Sequence, residues 1–199
     1  MEYEMSRTAY PEGATPLDDN ETAGLIPTHL ATRSQLYRWE YENIAEALSW
    51  LDRTKPKDIL NEYFAKTLHR KMFGNVWRWA GQFRQSDKTV GGPWVEIGTA
   101  LRKLCDNAQY KIVQHSEPPD EIALQFHHGL SWIHPFPNGN GRHARLMTDT
   151  LLVNLLEKPP FTWGSDNLAR NGDVRSRYIS ALRRADKGFF DELRQFVRS

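Results

Sequence analysis

The chain of 199 residues has a single cysteine, Cys105, so it can form no internal disulfide, and a reducing cytoplasm is its expected setting. It has no apolar run near the roughly eighteen residues that a membrane-spanning helix needs. The opening segment MEYEMSRTAYPEG carries acids and no apolar core, which argues against a secretion signal. Neither sign of charge is in excess. Lys plus Arg number 26 against 25 Asp plus Glu, for a net charge of +1, which argues against direct nucleic-acid binding or attachment to an anionic membrane. Internal repeats and low-complexity stretches are missing too. The chain is long enough for one domain with a core of its own, and its hydrophobic fraction of 39% is ordinary for a globular protein.

Turn formers dominate the start. Pro11, Gly13, Pro16, Asp18, Asp19, Asn20, Gly24 and Pro27 make residues 1–31 an N-terminal arm, ordered by wrapping the domain through Leu25 and Ile26. Residues 32–199 read as the domain itself. Thr32 and Gln35 have capping-box spacing, and Leu36, Trp39, Ile44, Ala47, Leu48 and Leu51 follow at helical spacing. Pro56 suits the first turn of a second helix that Gly74 ends, and VWRWAG suits a short third one. Residues 82–96 lose the helical period around Gly91-Gly92-Pro93 and read as a small β-hairpin or extended flap. Further helices are expected from about Ile97 to His115, through Ile122–Ile133, from about Asn140 to Leu156, and over Val174–Ala185 and Phe189–Val197. The predicted fold class is all-α: seven to eight helices around a central helix, with one small β-hairpin flap.

Chemical groups concentrate between His134 and Arg145. Gly139-Asn140-Gly141 stands where a loop turns into a helix, a backbone that can present N–H groups to an anion. Arg142 and Arg145, three residues apart on that helix, can reach the same anion with planar donors. His134 just before the loop can take a proton near neutral pH. Together these groups suit a polyphosphate cradle with a base at its mouth. Taken singly, each has a plainer explanation: a turn, an Arg145–Asp149 helix pair, a loop histidine. Elsewhere, His127, His128, His134 and His143 lack an acid at ligand spacing, which disfavours a metal site and nearly excludes a metal hydrolase. One of His127 and His128 is expected beneath the loop and the other at the surface. Cys105 falls on an apolar helix face. Trp77 and Trp79 are expected to pack the base of the flap, and Trp94 lies within it.

The run His134-Pro135-Phe136-Pro137-Asn138-Gly139-Asn140-Gly141-Arg142-His143-Ala144-Arg145 resembles the Fic motif, H-x-F-x-[D/E]-G-N-G-R-x-x-R. The likeness extends over about residues 33–190. The arm PEGATPLDDNETAGLIPTHL and the stretch MFGNVWRWAGQFRQSDK look like the bacterial Fic subgroup called mobile mystery protein B. The resemblance implies a protein adenylyltransferase, moving AMP from ATP to a Ser, Thr or Tyr hydroxyl of a target protein. His134 would be the general base and Phe136 the loop's anchor. Gly139, Asn140, Gly141, Arg142 and Arg145 would bind the ATP phosphates, and Tyr178 would contact the adenine. The flap, through Arg84, Lys88, Thr89, Val90 and Trp94, would pair with the target's backbone. Asn138 stands where the family has its Mg²⁺-binding acid, and a neutral amide is a weaker ligand for that cation.

The resemblance leaves alternatives open: transfer of a phosphate instead of AMP, or a weakly active nucleotide-binding module in a toxin–antitoxin-like pair with a partner chain. It also raises autoinhibition, because many relatives carry an inhibitory helix, [S/T]-x-x-x-E-[G/N]. Thr8-Ala9-Tyr10-Pro11-Glu12-Gly13 fits those letters but has a proline inside. Arg38-Trp39-Glu40-Tyr41-Glu42-Asn43 fits in part, which makes Glu42 the candidate inhibitory residue facing Arg145. The plainer reading of Glu42 is an ion pair with Arg38 one helical turn away, worth about 0.3–0.5 kcal/mol.

Overall fold

A computed structural model describes residues 15–30, 32–164 and 172–199. Among them are eight α-helices: α1 (Asp19–Thr22), α2 (Arg33–Thr54), α3 (Glu62–Phe73), α4 (Ile97–Gln114), α5 (Pro119–Ile133), α6 (Asn140–Asn154), α7 (Gly172–Ala185) and α8 (Asp191–Val197). The caps explain most of their limits. Thr32 closes the expected capping box with Gln35 at the start of α2, and Lys55, in the left-handed region, ends it. Helix α3 starts later than Pro56 suggests. Asn61 is its N-cap, accepting from the Phe64 N–H at 2.7 Å, so Ile59 and Leu60 lie ahead of the helix.

Two short elements differ from the sequence expectation. VWRWAG is a series of turns because the arm takes its backbone groups. Leu25 bridges Trp77 in antiparallel fashion, the Ile26 N–H donates to the Val76 carbonyl and the Arg78 N–H to the Gly24 carbonyl. Ile26 thus contributes its backbone, and its side chain stays exposed. The flap forms no β-hairpin: among the described residues, 82–93 contain no strand. Proline at 93 lacks a ladder donor. The buried Arg84 guanidinium, donating to the Ser86 and Gly92 carbonyls, does the work of a partner strand. Trp94 opens a single 3-10 turn, and its N–H donates to Asp87 Oδ1 at 2.8 Å, closing the loop.

Helix α6 is the middle of the protein. Ala144, Met147 and Leu151 are buried in a cluster shared with α2–α5, while Leu152 joins a second cluster with Phe161, Trp163, Tyr178, Ala181 and Phe196 from the α7–α8 side. Apolar residues on two faces suit a helix covered on both. Each buried Leu or Met contributes about 1.5–3 kcal/mol, so the start of α6, where the motif lies, is held by a helix buried on two faces. No helix among the described residues is long and apolar enough to cross a membrane.

Candidate active site

The motif loop is a short bridge between two helix ends. His134 caps α5 in the left-handed region (φ 52°), and Gly139 caps the start of α6 at φ 79°. Between them Phe136 is fully buried, stacked on the His69 ring with centroids 3.8 Å apart. Asn140 is also turned inward. Its Nδ2 donates to the Phe136 carbonyl at 2.7 Å and its Oδ1 accepts the Phe136 N–H at 2.8 Å. Its side chain therefore closes the loop on itself and is not presented to a phosphate. His69 supports the loop from below: Nδ1 accepts the Gly81 N–H at 3.0 Å, which makes Nε2 the donor to the Asn138 carbonyl at 3.0 Å. Burial holds this imidazole well below its ordinary pKa, so it is neutral.

The two glycines differ. Gly139 needs its positive φ, and a Cβ there would lie 2.6 Å from the Phe73 ring. At Gly141 a Cβ would meet nothing closer than Arg145 Nη1 at 3.7 Å. Packing does not demand that glycine; the missing methyl leaves room at the first turn of α6, where helix N–H groups have no intrahelical acceptor.

His134 is half-buried, and desolvation pushes its pKa down to about 4. The ring is thus neutral at pH 7 and able to accept a proton. Its Nε2 lies 2.8 Å from the Thr15 hydroxyl of the arm. Arg84, placed by sequence among target-docking residues, is instead a buried post under this histidine: Nε donates to the His134 carbonyl at 2.7 Å, and its backbone N–H to the Pro135 carbonyl at 2.9 Å. Of the other flap residues, Lys88 is covered, pairing with Glu21 at 2.7 Å and Asp18 at 3.5 Å, whereas Thr89, Val90 and Trp94 are exposed.

The two motif arginines face different surroundings. Arg142 Nη1 is 2.7 Å from Glu40 Oε2, and Glu40 is only 3% exposed, its other oxygen accepting the Trp77 indole N–H at 2.8 Å. Among the described residues no carboxylate lies within ion-pair distance of Arg145, whose guanidinium sits 5.5 Å from the centre of the Tyr178 ring. Tyr178 is buried and its hydroxyl meets His127 Nε2 at 2.9 Å, so it supports Arg145 from below and has no open face for a base. His127 lies under this arginine, not beneath the loop, and burial pushes its pKa down to about 3. His128 pairs with Asp186 at 2.8 Å. Asp149 is raised to about 6 by burial while accepting from the Trp163 indole at 2.9 Å. His143 is buried too, donating to the Ala65 carbonyl, and Cys105 lies in the core with its thiol pushed up to about 12.

Glu42 does not face Arg145. It lies on the solvent side of α2 and pairs with Arg38 at 3.1 Å, the plainer of its two readings. The reason is helical phase: Glu40 shares the buried stripe of Leu36, Asn43, Ala47 and Leu51, and a position two residues on points away from it. The other candidate stretch, Thr8–Gly13 with Glu12, lies outside the described residues.

The residues present do not fit a protein-held magnesium. Asn138 Oδ1 accepts the Gly139 N–H at 2.7 Å and its Nδ2 donates to the Thr15 carbonyl at 2.9 Å, so both ends of the amide are occupied. Among the described residues no group of three His, Cys, Asp or Glu side chains converges as metal ligands. Trp77 and Trp79 stack on each other at 5.0 Å, their indoles donating to Glu40 of α2 and to the Glu21 carbonyl of the arm. Sequence reasoning missed Glu40, His69 and Thr15. The first two carried a signal, a charged or titratable residue in phase with a buried helical stripe.

Comparison with known proteins places this geometry. Residues 59–152 match the model of the Fic/DOC family. Proteins named protein adenylyltransferase Fic from Drosophila willistoni and Drosophila melanogaster are each 32% identical over 149 residues, covering 71% of this chain and 26% of theirs. The chain thus spans about a quarter of the length of these curated relatives. Among solved structures, the N-terminal Fic domain of a VirB-translocated effector from Bartonella quintana superimposes with a TM-score of 0.70 at 18% identity, covering 86% of this chain and 84% of that one. Bartonella tribocorum BepC, solved with bound AMPPNP, gives 0.65 at 16% identity over 91% of this chain and 97% of its own. With the motif loop, its buried phenylalanine anchor and the central α6 all in place, the chain carries a Fic/DOC family domain.

Proposed function

We propose that the protein is an adenylyltransferase that moves AMP from ATP to a hydroxyl of a target protein. The observation that carries this reading is the pairing of a neutral His134 with a hydroxyl 2.8 Å away, at the mouth of a loop whose other end offers a helix N-terminus and two arginines. Support comes from the name of the Drosophila relatives and from the nucleotide analogue bound to the Bartonella tribocorum protein. His134 takes the proton of the attacking Ser, Thr or Tyr hydroxyl. The N–H groups of Asn140, Gly141 and Arg142 cradle the phosphates, with room left at Gly141, and Arg145 holds the outer end of the triphosphate. Because Asn138 is engaged by the chain itself, no step is assigned to a protein-bound metal. The exposed Thr89, Val90 and Trp94 offer the target an edge of the flap. A reducing cytoplasm is the proposed setting.

The same reading includes restraint. An incoming phosphate competes with the Glu40 carboxylate for Arg142, so Glu40 takes the autoinhibitory part that sequence reasoning gave to Glu42. This observation also favours the second reading, a nucleotide-binding module of low activity, held by its own carboxylate or by a partner chain as in toxin–antitoxin pairs. Incubation with α-labelled and γ-labelled ATP in lysate separates them. Label on protein from the α-phosphate alone is expected. Label from the γ-phosphate would make the protein a phosphotransferase, and bound ATP with no label would make it the module.

A further inference from the structure

We propose that Thr15 is an acceptor in cis: the protein adenylylates its own arm at this threonine. The proposal rests on the adenylyl-transfer reading above and adds a modification site to it.

Three observations point to this residue. Thr15 is 4% exposed although it lies within an arm that reads as turns, and its hydroxyl and carbonyl are both held at the motif loop. Its hydroxyl is 2.8 Å from His134 Nε2, where an attacking hydroxyl must stand to lose its proton. The ring is neutral, so in the tautomer with Nε2 unprotonated that nitrogen accepts and the threonine O–H donates. Its carbonyl is held separately by Asn138 Nδ2 at 2.9 Å. The motif residue that departs from the acidic pattern is therefore the one that grips the arm: an aspartate here would set a carboxylate against a carbonyl oxygen.

The rest of the arm fixes the direction of approach. Asp18 N-caps α1, and Asp18 and Glu21 both pair with Lys88 of the flap, the partner that a docked target would otherwise meet. The Trp79 indole donates to the Glu21 carbonyl at 2.9 Å. Main chain, hydroxyl and following helix are each tied to the loop or the flap, so Thr15 is presented as a substrate is, with its proton aimed at the base.

The step balances without another reactant than ATP. Thr15 Oγ1 forms a bond to the α-phosphorus. The bond from that phosphorus to the α,β-bridging oxygen breaks, its electron pair leaves with pyrophosphate, and the hydroxyl proton passes to His134 Nε2. Among the described residues Thr15 is the one arm hydroxyl at His134, so one adenylyl group per chain is expected there.

The test is to incubate the purified full chain with α-labelled ATP and locate the label by peptide mass spectrometry, at several protein concentrations. Label on Thr15, with a first-order rate independent of protein concentration, is expected. It should disappear in Thr15→Val and His134→Ala and persist in Thr15→Ser, which keeps the hydroxyl and so shows that the arm still docks. No label on Thr15, with label on other proteins once lysate is added, overturns the proposal and leaves the transferase reading standing. A Thr15 rate that rises with protein concentration also overturns it, because the transfer is then between molecules. No α-label on any protein, with ATP bound, removes the transferase reading and the proposal together.

Discussion

The two ends of the motif loop are built to opposite plans. At the His134 end the chain supplies its own occupant: base, loop amide and flap lysine are each bonded to the arm, at Thr15, Asp18 or Glu21. At the Arg145 end it supplies only a floor, made of the Tyr178 ring, His127 and Asp149, with an arginine above it and no carboxylate partner among the described residues. Arg142 stands between, claimed from below by Glu40. On the proposed reading, the acceptor half of the site is preassembled as a complex with self, whereas in the anion half Arg145 has no carboxylate at ion-pair distance among the described residues. Burial and hydrogen bonding order the first; the α6 N-terminus and the Arg145 guanidinium define the second.

The sharpest break in this contrast is His134→Ala. Transfer should fall by at least about a hundredfold, the usual contribution of a general base, while ATP affinity stays within a few-fold. Equal loss of both in a calorimetric titration would mean that the two halves are one. Next in size, Arg145→Ala should weaken ATP binding roughly tenfold or more, since a charge-assisted bond to phosphate contributes about 1.5–3 kcal/mol. An unchanged dissociation constant would place the triphosphate elsewhere. Glu40→Gln should tighten ATP several-fold by releasing Arg142 while its amide oxygen still accepts the Trp77 indole; if affinity drops instead, the carboxylate orients the arginine and does not compete for it.

The smallest effect is on pH dependence. His134 and His143 are held near about 4 and His127 near about 3, mainly by burial, against an ordinary value of 6.5. Between those values the unfolded chain binds more protons than the folded one, so stability is full above about pH 6.5 and lost as pH falls toward 4, by at most about 1.4 kcal/mol per unit per histidine. Asp149, raised to about 6, works in the opposite direction, gaining its proton in the fold first. Thermal unfolding from pH 7.5 to 4.5 should show the net fall; a flat profile would mean that these imidazoles are not desolvated.

Long helices and the motif were legible because their signals are local: a capping box at Thr32, apolar spacing through α4 and α6, and a loop whose glycines and arginines stand in fixed register. The misplaced residues depended on long-range partners. Trp39 and Leu48 look like core in a helical count, yet both are exposed on α2, because the covered stripe runs through Glu40 and Asn43 instead. Nothing next to Glu40 in sequence tells that Arg142 and Trp77 will surround it. Arg84 looked like a docking cation because flaps are usually exposed, but carbonyls of the flap and of the end of α5 converge on its guanidinium. Thr15 sits amid turn formers, and its role follows only from a loop more than a hundred residues away.

The tie between α1 and Lys88 has a consequence for any outside protein. A segment tethered this closely has an effective concentration on the order of millimolar at the base. A target present at micromolar levels is outnumbered there about a thousandfold. On the proposed transferase reading the arm would act as a threshold on target recognition: only a protein that also engages the flap strongly enough to lift α1 from Lys88 would reach His134, and weak chance encounters would be turned away.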